Sequence, residues 1–228
     1  MIDLARLFSS RHNAFIGMDI GRHAVRMVEL SRGKAGAFML QGYGSEELAV
    51  GAVGEDGIDD LDHVMAAARR LWERSDFKAR KVAIGIPASA VAVHTFSARQ
   101  AHTESEIEQL AREHIRTLLN YGIAEACIDF CLVEPVSRLV AQTEVLVAAA
   151  RRESVEDRLA VAESLDLHAV VADAESYAAD AALLRAGASG AADPFAGMAL
   201  AAGIQAERLK KEAPAYLVAC GLALRGFD

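Results

Sequence analysis

Apolar and polar positions change period several times along this chain. Residues 15–18 (FIGM) are an apolar run that ends on Asp19 and turns at Gly21; a second run, residues 24–30, starts at once, and residues 37–42 read as a third. Short apolar runs parted by Asp and Gly predict an antiparallel meander joined by tight turns. Residues 42–57 are rich in Gly and acids and predict loop. The period then lengthens. Leu61, Val64, Met65, Ala68, Leu71 and Trp72 share one face of a helix over residues 60–75, which Asp59 or Asp60 can cap. KVAIGIP predicts a buried strand that Pro87 ends, and residues 91–96 alternate as another. Thr103 with Glu106 three positions on forms a capping box for a helix over residues 104–119. Strands follow at 127–135 and 143–150, a helix at 154–164, a strand at 168–173 and an Ala-rich helix at 174–186. Pro214 suits the first turn of a last helix reaching about Ala223, with Leu217, Val218, Cys220, Gly221 and Leu224 on one side. Strands alternating with helices place the chain in the α/β or α+β class.

With 228 residues, 53% of them hydrophobic, the chain can bury one or two cores. Its net charge of −8 excludes a dedicated nucleic-acid binder, which needs basic residues against phosphates. Cys127, Cys131 and Cys220 have no CxxC spacing; Cys127 and Cys131 fall on one face of a strand and read as buried thiols of a reducing compartment. Apolar stretches such as residues 145–150 are far short of the roughly 20 residues of a membrane span, and the N-terminus lacks a secretory layout, so the chain reads as cytoplasmic. Ile2, Leu4, Leu7 and Phe8 have a helical spacing over a short lead-in, residues 1–10. The histidines form no HExxH, and Ser89 lacks a GxSxG frame. Glu104, Glu106 and Glu108 gather where a helix dipole favours them. No catalytic set and no metal site are expected.

Several segments occur in a telling order: the MDIG turn with Arg26 and Glu29 behind it, VAIGIPAS at 82–89, IDFCLV, LVAAARRESVEDRL at 146–159, LHAVVADAESYA at 167–178, DPFAGMAL at 193–200, and the closing APAYLVACGLALRGFD. Together they resemble the PilM family of type IV pilus assembly proteins, actin-like relatives of the cell-division protein FtsA. The resemblance implies an actin-like (ribonuclease H-like) α/β core, built from residues 1–40, 151–186 and 193–228, with a small α/β subdomain inserted over 41–150. It implies a cytoplasmic adaptor, peripheral to the inner membrane, in pilus biogenesis and twitching motility. The groove between inserted subdomain and core would receive the N-terminal cytoplasmic tail of a PilN-like inner-membrane protein. By strand placement and this analogy, Ile86, Pro87, Ala88, Ser89, Val91, Val93, Ala148, Arg151 and Arg152 are its candidate walls.

The same resemblance marks the first hairpin as one jaw of a nucleotide site, with Asp19 orienting magnesium-bound water and Gly21, Arg22 and His23 at the phosphates. Relatives often carry hydroxyl residues after the turn glycine, where this chain has Arg22, His23 and Ala24. Family members also carry a second half after the Ala-rich helix, opening with another Asp-x-Gly hairpin and later supplying a Gly-rich adenine loop. GASGAAD, residues 187–193, matches neither. The second half is therefore read as missing, with 187–192 as a flexible junction. The expectation is no ATP or magnesium cofactor and no enzyme activity; the alternative is an ATP-dependent actin-like switch or ATPase, or a non-functional remnant of one. Loss of the second half would also uncover residues 177–184 and 217–224 and favour self-association.

Overall fold

The computed structural model describes residues 14–33, 36–55, 57–99, 102–133, 142–187 and 193–227. The readings of residues 1–10, of the junction 188–192 and of Pro135 as a strand end lie outside these. In chain order the elements are β1 (Ala14–Ile20), β2 (Ala24–Arg32), β3 (Phe38–Glu47), α1 (Leu61–Arg74), β4 (Lys81–Ile86), β5 (Val91–Arg99) and α2 (Glu104–Arg116). Then come β6 (Ala126–Val133), β7 (Gln142–Arg151), α3 (Arg152–Glu163), β8 (His168–Ala174), α4 (Glu175–Ala186), β9 (Ala199–Leu200), α5 (Ala206–Glu212) and α6 (Leu217–Arg225). They form two compact units, Met1–Ala88 with Asp157–Asp228, and Ser89–Glu156.

The first unit is a mixed six-stranded sheet in the order β8-β4-β1-β2-β3-β9. β1, β2 and β3 form the antiparallel meander, and β4 joins β1 in parallel. β1, β2 and β4 are nearly continuous apolar runs because both their faces are buried. α1 packs on β2 and β3, burying Val64, Ala67, Ala68 and Leu71. α6 packs on β1, β2, β4 and α4, with every residue from Ala219 to Leu224 buried. The approach is close. A Cβ at Gly221 would run into the Ala178 carbonyl of α4, and one at Gly17 into the Ala219 carbonyl of α6. Glu29, 2% exposed, accepts the Lys78 N–H at 2.7 Å and so ties the loop before β4 to β2.

The second unit is an antiparallel sheet in the order β5-β7-β6. α2 opens with the expected capping box, Thr103 and Glu106 each bonding the other's backbone N–H. Its Ile107, Ala111 and Ile115 pack on Phe96, Ala98, Val145, Val147 and Ala149. One face of this sheet is therefore core.

Several expectations change. The second compact unit starts at Ser89, not residue 41, because β3 pairs with β2 and β4 with β1; only long-range pairing reveals this. β3 runs on to Glu47, inside the expected loop, since its register with β2 holds to Ala24. Pro214 sits in a short 3₁₀ turn, Ala213–Tyr216, ahead of α6. α5 and β9 were not foreseen: α5 is polar apart from Leu209, and β9 has two residues. Residues 217–224 are not uncovered, because α4 and the sheet enclose α6; only α4 exposes Tyr177, Leu183 and Leu184. Cys131 is exposed and Cys127 half-buried, both opposite the α2 face, while burial pushes the Cys220 thiol up to about 12.

Candidate functional site

The β1–β2 hairpin closes as its sequence suggests: Gly21 N–H donates to Ala24 O at 3.1 Å, and Asp19 sits opposite Arg26. His23 O accepts the Leu48 N–H at 2.9 Å. Arg22 is exposed and pairs with Glu55 at 2.9 Å. Asp19 is 6% exposed, with Arg26 Nη1 3.5 Å from its carboxylate. Burial pushes its carboxyl above the usual range, outweighing the pull of Arg26 and Arg158.

Two further groups complete a buried charge cluster. Arg158 of α3 is fully buried; burial lowers its guanidinium pKa, opposed by the charges of Glu175, Asp157 and Asp19. Glu175 opens α4, and burial, then the charge of Asp19, raises its carboxyl to about 7 despite Arg158. Its Oε1 is buried without a hydrogen-bond partner. Sequence reading quoted both residues inside family segments but gave neither a role. An arginine in VEDRL at helical spacing reads as solvated surface, and only tertiary packing buries it.

A magnesium nucleotide needs amides aimed at phosphate and a carboxylate free to hold the hydrated cation. Here Asp19 is buried against Arg26 and Arg22 is engaged by Glu55. Among the described residues no three His, Cys, Asp or Glu side chains converge as a metal site. This donor set does not fit the group. Calorimetric titration with magnesium ATP is expected to show no saturable heat; a micromolar magnesium-dependent isotherm would overturn that expectation.

The candidate partner residues divide between the units. Ile86 is buried at the end of β4, and Pro87 and Ala88 follow it in the first unit. Ser89 begins the second. Val91 and Val93 of β5 lie opposite Ala150 and Ala148 of β7, on the sheet face away from α2, with Cys127 and Cys131 of β6 on that same face. Val93 is 36% exposed there. Arg151 ends β7, its guanidinium 4.5 Å from the Tyr121 ring centre and 3.4 Å from Glu125. Arg152 donates to Ala126 O at 3.1 Å, so its guanidinium already holds the end of β6. His94 and His114 stack with ring centres 5.5 Å apart beside Phe96, a packing contact.

The family model described as type IV pilus assembly protein PilM matches residues 17–189 and 186–227. The chain belongs to the PilM family. The two matches overlap at residues 186–189, at the end of α4. Among solved structures, the chain is similar to one in the PilM-PilN type IV pilus biogenesis complex, at 17% identity and a TM-score of 0.77, over 93% of this chain and 98% of that one. A weaker likeness, TM-score 0.46 at 11% identity over 72% and 58% of the two chains, is to the cytoplasmic domain of EpsL, an inner membrane component of the Vibrio cholerae type II secretion system. Another, TM-score 0.38 at 10% identity over 80% and 61%, is to a Bacteroides thetaiotaomicron protein with an actin-like ATPase fold and unknown function. The fold is the mixed α/β fold of the chain in the PilM-PilN complex. No described helix is long and apolar enough to cross a membrane.

Proposed function

We propose that the chain is a non-catalytic adaptor of the type IV pilus machinery that captures the N-terminal cytoplasmic tail of a PilN-like inner-membrane protein, and is held at the inner membrane by that partner. The observation that carries this reading is the half-open sheet face of the second unit, where Val91, Val93 and Ala148 lie side by side and Arg151 stands at the end of β7. An extended tail can set alternate side chains on such a face with no nucleotide chemistry. Family membership and the likeness to a chain of a PilM-PilN complex support the choice of partner. Arg152 is committed to the Ala126 carbonyl; Arg151, at the end of β7 beside Glu125 and over Tyr121, would exchange Glu125 for an acidic or polar group of the tail. For association between copies, α4 offers the exposed apolar residues Tyr177, Leu183 and Leu184.

The test is titration of the full chain with the N-terminal peptide of its PilN-like partner. Affinity should be roughly micromolar, about −8 kcal/mol, and the same with or without magnesium ATP. Val93→Asp should weaken binding at least about tenfold and Arg151→Glu about fivefold, with circular dichroism unchanged. Unaltered affinity in both folded variants places the tail elsewhere.

A further inference from the structure

β3 is paired with β2 from Phe38 to Glu47 apart from a bulge at Gln41, but on its other side β9 covers only Met39 and Leu40. Beyond Leu200 the chain turns away through Gly203, at φ 95°, and enters α5. Residues 42–47 thus have no strand on their outer side among the described residues. The Arg74 guanidinium donates to the Ser45 carbonyl, which marks that carbonyl as pointing away from β2. A cleft of about 1020 Å³ follows this edge within the first unit. Tyr43, Ser45 and Glu47 form one wall, and Arg208, Lys211 and Tyr216 contribute to the other. An open edge of this kind is a template for another strand.

The charge of the cleft says what kind of strand. Arg26, Arg74, Arg208 and Lys211 line it against two carboxylates, Glu47 and Glu212, in a chain of net charge −8. Arg26, Arg74 and Arg208 each have a carboxylate partner. Lys211 is exposed and has none among the described residues. We propose that this cleft takes up an extended acidic segment of a partner protein, added as a strand to the open edge of β3. The backbone supplies the ladder, with Arg74 giving up the Ser45 carbonyl as the strand enters. Alternate residues of an added strand point to the same side, so one carboxylate can meet Lys211 and a second can share the Arg208 guanidinium with Glu212. A second copy of this chain is a poorer occupant, since pairing two β3 edges would set the cations of one cleft against those of the other. The site is separate from the tail-binding face of the second unit and stands or falls without it.

The test uses fluorescein-labelled peptides and the full chain, read by anisotropy. One peptide alternates glutamate with valine, a second has lysine for each glutamate, and a third is the acidic peptide N-methylated at alternate backbone amides. The acidic peptide should saturate the chain, with the lysine and N-methylated peptides each at least about tenfold weaker. The double variant Arg208→Glu, Lys211→Glu should lose about tenfold for the acidic peptide while melting as the parent does; Arg151→Glu should bind it unchanged. Backbone amides of residues 43–47 should exchange more slowly in the complex. Equal binding of the acidic and lysine peptides overturns the proposal. So does undiminished binding of the N-methylated peptide, which would mean adsorption by charge without strand pairing. A stable dimer in light scattering that excess acidic peptide does not dissociate would give the edge to a second copy and equally overturn it.

Discussion

Alanine at position 221 is expected to destabilise the first unit by about 3 kcal/mol or more. Two effects oppose each other here. Inside a helix alanine is favoured over glycine by about 1 kcal/mol, which alone would stabilise α6. The new Cβ, however, would overlap the carbonyl oxygen and carbon of Ala178. Those are backbone atoms of α4, and no rotamer change moves them aside. The two helices must part, opening the core that Phe15, Ala83, Ala178 and Leu222 share. Overlap therefore outweighs propensity. Urea unfolding of Gly221→Ala against the parent is the check, and a midpoint within error of the parent would show that α4 and α6 do not cross here as described.

The second large effect is one of pH. Glu175→Gln should stabilise the protein at pH 8 by on the order of 2–3 kcal/mol, several degrees in melting temperature, and change little at pH 4.5. The ordinary value for this carboxyl is 4.5, and in the fold it is raised to about 7. Between those two pH values the folded chain binds more protons than the unfolded chain, so stability falls as pH rises and levels off above about 7. The rise persists although Arg158 draws it down, so burial and the nearby Asp19 charge together outweigh the arginine. Asp19 and Glu175 lose their protons as a coupled pair, and glutamine removes one member. Melting curves of parent and variant that run parallel from pH 4.5 to 8 would overturn this.

Local signals in the sequence carried most of the elements. The Thr103–Glu106 capping box and the Asp60 cap, whose carboxylate takes the His63 N–H at 2.9 Å, each depend on residues three positions apart. The apolar runs of β1, β2 and β4 are readable because both their faces are buried. What stayed hidden depends on partners distant in the chain. Whether β3 and β4 belong to the first unit is set by pairing with β2 and β1, so the unit boundary at Ser89 left no mark at residue 41. The exposure of Cys131 depends on which face of the sheet α2 covers, and alternation alone cannot say. At the hairpin, Asp19 and Gly21 were legible from the turn, whereas the buried cluster needed α3 and α4 to bring Arg158 and Glu175 to it.

The place of α6 bears on how the polypeptide is born. The second unit, Ser89–Glu156, is one uninterrupted stretch, so all of its parts emerge together and it can fold while translation continues. The first unit cannot, because the helix that fills the space between β1, β2, β4 and α4 leaves the ribosome long after those strands do. Until then the nascent chain holds a sheet with part of one apolar face bare, the condition in which growing chains aggregate or engage a holding chaperone. A ribosome stalled before Leu217 would therefore release a finished small unit joined to an unfinished large one.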